Sequence, residues 1–290
     1  MRKTTILLIL FLSNLALSQT NANRFFYELK FKQKKNAREL ENVLTVLDVL
    51  DKQSTYKDYT YASQDSIMKI KIENAKETNN FTEILKKIKN PKISYKVIKK
   101  LPSQEISFIE VLESGTLPVY LTYNEIVNLD WKIENSKENI NNYDCQKATL
   151  TFGGRKWIAW FTNQIPISDG PYKFHGLPGL IVKIEDNSKN FIWQLVGNYK
   201  ITNYQEFSEI EKLKKIDKGN YKTVPKIKFA KAISQYAQNP FAMMKSQLTK
   251  EMLNNKVPGT ETTLQQLIRD EELRIKALHT NENPIEITNQ

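Results

Sequence analysis

Between residues 93 and 201 the chain runs as a succession of short apolar segments punctuated by turns, and this spacing constrains the fold more than any other feature. The segments are 94–99, 105–112, 119–122, 129–133, 147–152, 156–161, 180–185 and 191–196, each carrying β-branched or aromatic residues. Many short strands at such intervals predict an antiparallel sheet, sandwich or open barrel. Gly153-Gly154, between two of these runs, predicts a tight hairpin, because glycine takes the positive φ that a two-residue turn requires. Upstream, residues 25–32 alternate Tyr27, Leu29 and Phe31 with Glu28, Lys30 and Lys32, a strand with one wet face. Residues 43–50 read as a second strand, with a helix as rival because Leu40, Val43, Leu44, Val46 and Leu47 also fit helical spacing. Residues 52–90 are polar and read as surface turns with a helix or two.

The text changes again after residue 225. Ile227, Phe229, Ala230, Ala232 and Ile233 suit a helix until Pro240 interrupts it. Residues 260–278 form the best helical pattern, with Leu264, Leu267 and Ile268 on one face and basic residues near the end. The fold expected is a single α+β domain over residues 19–290. Its core is a mainly antiparallel sheet, curved or half-barrel, with the β-rich part at 93–201, a helical part at 225–280, and helices packed at the C-terminal end.

The first eighteen residues have the layout of a secretory signal peptide: Arg2 and Lys3, an apolar run at 6–12, and a small-x-small site ending at Ser18. The apolar core is too short to span a bilayer comfortably. Cleavage is expected near Ser18/Gln19, leaving a periplasmic or extracellular protein that does not span the membrane. The one cysteine, Cys145, lies far from the apolar run, so it does not provide an N-terminal lipidation site there. It cannot form an internal disulfide and is expected to be buried.

The net charge of +11 raises the question of nucleic acid. Only six of the 43 basic residues are arginine, however, and the lysines are scattered rather than clustered. Phosphate and base recognition favours the bidentate guanidinium. We therefore read a solvated basic surface and expect no nucleic-acid partner. Two histidines, His175 and His279, and one cysteine cannot build a multi-histidine zinc site. Dinucleotide, Walker and nucleophile-elbow motifs are missing. No metal and no cofactor are expected, no residue is assigned a catalytic role, and the reading favours a non-enzymatic protein.

The densest signal runs from residue 143 to 186. Trp157, Ala159 and Phe161 point to one face of their strand, and Ile158, Trp160 and Thr162 to the other. A strand apolar on both faces is either central and covered on both sides or one wall of a ligand cavity. A loop follows, opened by Asp169-Gly170-Pro171 and closed by Pro178-Gly179, where proline followed by glycine suits a type II turn. Gly176 adds another permissive position. Candidate ligand-binding residues are Trp157, Trp160, Tyr172 and His175. Gly170, Pro171, Gly176, Pro178 and Gly179 are read as structural loop residues.

The segment 175–181, His-Gly-Leu-Pro-Gly-Leu-Ile, contains the string Gly176-Leu177-Pro178-Gly179-Leu180-Ile181. With Tyr143, Cys145, Lys147 and Ala148 before it, Ile165-Pro166 and residues 170–174 beside it, and Asn283-Pro284-Ile285-Glu286 near the end, the chain resembles the GLPGLI family of exported Bacteroidota proteins. The resemblance implies export to the envelope and carries no assigned chemistry. Three functions follow as expectations: a binding protein for an apolar small molecule or lipid, an interaction module for an outer-membrane protein or surface assembly, and a hydrolase using His175 with Asp169.

Overall fold

The computed structural model describes residues 21–78, 88–113, 118–258, 260–279 and 282–287. The export signal expected at residues 1–18 lies outside them. Twelve strands among the described residues join one sheet: β1 (Ala22–Phe31), β2 (Glu41–Val49), β3 (Gln53–Asp58), β4 (Tyr95–Lys100), β5 (Glu105–Leu112), β6 (Val119–Ile126), β7 (Lys132–Ile140), β8 (Tyr143–Phe152), β9 (Arg155–Thr162), β10 (Leu180–Asp186), β11 (Phe191–Ile201) and β12 (Asn220–Thr223). Their order is β12-β6-β5-β4-β3-β2-β1-β11-β10-β9-β8-β7. β12 runs parallel to β6, and every other neighbouring pair is antiparallel.

The sheet is open and curved. Trp193 Nε1 on β11 donates to the Tyr56 hydroxyl on β3 at 2.8 Å. In a flat sheet those strands would lie about 14 Å apart, so the sheet curls around the face that carries both rings. That concave face holds the main core, including Tyr27, Leu29, Leu47, Val97, Ile106, Trp157 and Ile184. Burial of each large side chain there contributes about 1.5–3 kcal/mol.

Several sequence expectations need adjustment. The β-rich part is not confined to residues 93–201, since β1–β3 occupy the middle of the sheet and β1 pairs with both β2 and β11. The strand expected at 43–50 is present as β2 (Glu41–Val49), and the rival helix does not form there. Residues 52–90 contain β3 as well as a helix, α1 (Asp65–Thr78); β3 was hidden because it buries Ser54, Thr55 and Lys57 rather than an apolar row. The strand expected at 129–133 is displaced to β7, an exposed edge with no apolar alternation to mark it. Gly153-Gly154 does make the hairpin, with φ of +58° and +73° and β8 paired to β9 across it. Cys145 is buried and unpaired.

The remaining helices are α2 (Glu209–Leu213), α3 (Lys226–Gln238), α4 (Ala242–Lys245), α5 (Lys250–Asn254) and α6 (Leu264–His279). All five follow the last long strand, whereas α1 lies between β3 and β4. α3 packs Phe229 against Leu121 and Tyr123 of β6, and α6 packs Ile268 and Ile275 beside Phe241. No helix among the described residues is long and apolar enough to cross a membrane.

Candidate functional site

Residues 163–179, between β9 and β10, fold back into the concave face and fill part of it. Lys99, on the inward row of β4, is 3% exposed at its side chain and pairs with Asp169 Oδ1 at 2.5 Å. Its ammonium also donates to the carbonyls of Gly170, Tyr172 and Phe174. Burial lowers the Lys99 ammonium below its ordinary pKa, and Asp169 opposes that shift. One lysine thus satisfies a charge and three loop carbonyls that would otherwise be buried without partners.

The loop supplies a second buried lysine. Tyr172 adopts a left-handed φ of +54°, uncommon for a residue with a Cβ. The next residue, Lys173, has a fully buried side chain that pairs with Glu125 and Glu286 and donates to the Tyr123 hydroxyl. Its ammonium lies 5.1–5.3 Å from the ring centroids of Phe108, Tyr123 and Tyr172, a cation–π arrangement. Tyr172 also donates its hydroxyl to Glu286 at 2.7 Å. Lys226, at the start of α3, pairs with the same two carboxylates, so the network ties the loop, the sheet, α3 and the C-terminal segment together.

That segment is fixed at its other side by Arg155. The guanidinium pairs with Asp186 and donates to Asn283 Oδ1 and to the carbonyls of Pro284 and Ile285. Ile287 N–H donates to Gly153 O at 2.7 Å.

Where the loop ends, the concave face stays open. A cleft of about 690 Å³ lies between β1, β4, β5 and β6 on one side and α3, the end of α6 and residues 282–286 on the other. Its apolar wall includes Leu29, Phe31, Phe108, Phe191, Phe229 and Ile233. Tyr95 and Phe108 stack with ring centroids 5.0 Å apart.

Glu110 of β5 and His279 of α6 also line this cleft. The Glu110 side chain is 8% exposed, and its Oε1 accepts a hydrogen bond from the Ser94 hydroxyl at 2.9 Å. Its Oε2 has no hydrogen-bond partner among the described residues. Burial pushes the Glu110 carboxyl up to about 8, against the pull of Ser94. His279 Nδ1 lies 2.9 Å from Ile275 O, so that nitrogen carries the proton and donates. Its Nε2 is then the acceptor of the neutral ring, also without a partner, and lies 3.8 Å from Glu110 Oε1. Burial lowers the imidazole below its ordinary pKa. Tyr236 meets the His279 ring edge-on at 5.6 Å.

The structure separates the residues singled out in the sequence. Tyr172 lines the cleft, while Trp157, Trp160 and His175 are not part of its wall. Trp157 is fully buried and packs on Phe174 and Trp193. Trp160 points to the other face of β9, partly covered. His175 is buried in the loop, donates from Nδ1 to Lys173 O, and has its carbonyl capped by Trp131 Nε1. Asp169, its suggested acid–base neighbour, is held by Lys99. Pro178-Gly179 does not form a type II turn. Gly179 N–H bonds back to Leu177 O, a tighter three-residue turn, and Gly179 has a φ of +153°. A Cβ there would lie 2.1 Å from Thr162 O, so the position requires glycine for close approach to the end of β9. Gly170 and Pro171 carry the carbonyl-rich bend over Lys99, and Gly176 has a φ of +90°.

Glu110 carries a signal in the sequence itself. In β5, Ile106, Phe108 and Leu112 occupy the row to which Glu110 belongs, and an acid in an otherwise apolar row is a signal. Among the described residues, no group of three or more His, Cys, Asp or Glu side chains is arranged to hold a metal ion.

A family described as a protein of unknown function, Porph_ging, matches residues 154–183, which include the Gly176–Ile181 string. No curated protein matches the sequence. A solved structure of PNGF-II in a C2 crystal is similar with a TM-score of 0.50 at 12% identity, covering 73% of this chain and 32% of that one. A second, in a P21 crystal, gives 0.49 at 13% identity, covering 74% and 34%. The chain thus spans about a third of the length of these structures, and the likeness concerns the fold alone.

Proposed function

We propose that the protein is an exported, non-enzymatic binding protein that holds an amphipathic small molecule in the cleft between the concave sheet face and α3. The observation that carries this reading is the open cleft of about 690 Å³ beside a concave face otherwise filled by its own loop. Its volume falls within the usual range of small-molecule sites, and its wall combines aromatic surface with a few buried polar atoms. Tyr172 contributes to that wall, and the Lys173 network holds the wall in place. Export to a Bacteroidota envelope is supported by the pattern of residues 1–18 and by the Gly176–Ile181 string.

A fluorescence titration with N-phenyl-1-naphthylamine tests the reading. Saturable binding of one probe per chain is expected. Ala230→Trp, which places a large ring in the cleft from an exposed position on α3, abolishes it without changing the melting temperature. Binding undiminished by Ala230→Trp contradicts the proposal.

A second reading, docking to an envelope partner, draws on the opposite face of β1. There Phe26 packs against Tyr59 and Tyr199, and Tyr199 is 50% exposed. Loss of a reproducible envelope partner on Tyr199→Ser, with probe binding retained, would favour it.

A further inference from the structure

We propose that the Glu110–His279 end of the cleft is a recognition site for a primary ammonium group, so that the ligand is an apolar amine. The inference rests on the cleft being a binding site and deepens that reading.

Glu110 Oε2 and His279 Nε2 are both buried, and neither has a hydrogen-bond partner among the described residues. Nε2 is an acceptor because Nδ1 already donates to Ile275 O. Glu110 receives one neutral hydrogen bond, from Ser94, no lysine or arginine among the described residues pairs with it, and the neutral His279 ring lies 3.8 Å away. Buried carboxylates are ordinarily paired or protonated. His279 Nε2 therefore asks for a donor, and the Glu110 carboxyl, once ionised, asks for donors and positive charge; an ammonium supplies both. The stacked faces of Tyr95 and Phe108 in the same wall suit a cation as well.

The other charged groups of the cleft do not compete for this place. Lys92, Lys226 and Lys276 are exposed, where water and salt screen them. Lys92 pairs with Glu41, and Lys226 with Glu125 and Glu286. Glu282 lies in the C-terminal wall, and Glu286 is engaged by Lys173 and Tyr172. The phenols of Tyr95, Tyr123 and Tyr172 complete the titratable groups of the cleft wall, and burial raises all three; behind the imidazole stand the Tyr236 ring and the Arg274 guanidinium, whose charge disfavours protonation of His279.

A consequence follows for protons. With its carboxyl pushed up to about 8, Glu110 is protonated at pH 7. An arriving ammonium stabilises the carboxylate, and the displaced proton leaves to solvent.

Isothermal titration of the full chain with octylammonium, octanol and octanoate, below their micelle concentrations, isolates the head group at constant tail. Octylammonium is expected to bind about tenfold or more tighter than the other two, with affinity rising as the pH approaches about 8. At pH 7, comparison across two buffers should show release of about one proton per ligand. Glu110→Gln is expected to erase the preference and the proton release while still binding octanol. Equal binding of all three, a preference for octanoate, or an ammonium preference that survives Glu110→Gln overturns the head-group assignment and leaves the cleft reading standing. Failure of all three probes to bind overturns the cleft reading and this inference with it.

Discussion

Lys99 and Asp169 meet at 2.5 Å beneath a loop that crosses the concave face of the sheet, and the same ammonium gathers three of the loop's carbonyls. This pair decides where the loop lies, and the loop decides which part of the concavity stays open. Asp169→Ala leaves the Lys99 charge buried without its counter-ion. We expect a loss of about 3–5 kcal/mol in urea denaturation. Lys99→Met combined with Asp169→Ala should cost less than the two single changes added together.

The C-terminal segment should behave as part of the folded core. Arg155 holds it through Asn283 and two carbonyls while pairing with Asp186. Arg155→Ala removes those donors and leaves Asp186 buried with its backbone partners alone. A destabilisation of about 3–5 kcal/mol is expected, together with faster proteolysis after residue 282. Unchanged protease resistance there would count against the docking role.

Gly179 is expected to tolerate no side chain. The Cβ of Gly179→Ala would collide with Thr162 O, a backbone atom that cannot rotate away. The cost should reach about 3 kcal/mol or more, the upper end of strained-backbone penalties. Gly197→Ala serves as control, because nothing lies within 4 Å of the added methyl, and thermal melts should show little change.

How much of this could be read from the residues depends on what each strand buries. β5, β9 and β10 were legible because their apolar residues alternate or run continuously. β3 and β7 were not, since one buries hydroxyls and a lysine and the other is a polar edge. The site was harder. Tyr172 was singled out by its loop, but the cleft forms only when α3 and α6 pack over the sheet. Glu110 breaks an apolar row and could have been flagged. Its meeting with His279 is created by tertiary packing and leaves no local pattern. Trp157 drew attention as an aromatic, and burial against Phe174 accounts for it.

Glu110 should also leave a mark on stability. Its folded carboxyl is raised to about 8, well above the ordinary carboxylate range. The folded state therefore keeps a proton that the unfolded state loses, and stability falls as pH rises through the interval between the two values. The slope is about 1.4 kcal/mol per pH unit for one proton. Glu110→Gln removes this term. In urea denaturation the variant is expected to gain on the wild type steadily from pH 5 to pH 8, and a constant difference across that range would contradict the assignment.

Native mass spectrometry of the full chain, purified without detergent from its native host, reads the occupancy of the cleft itself. One small amphipathic molecule per chain is expected, released on denaturation and missing from Ala230→Trp. A wild-type mass equal to the bare polypeptide, or the same adduct on Ala230→Trp, would contradict a ligand-binding cleft.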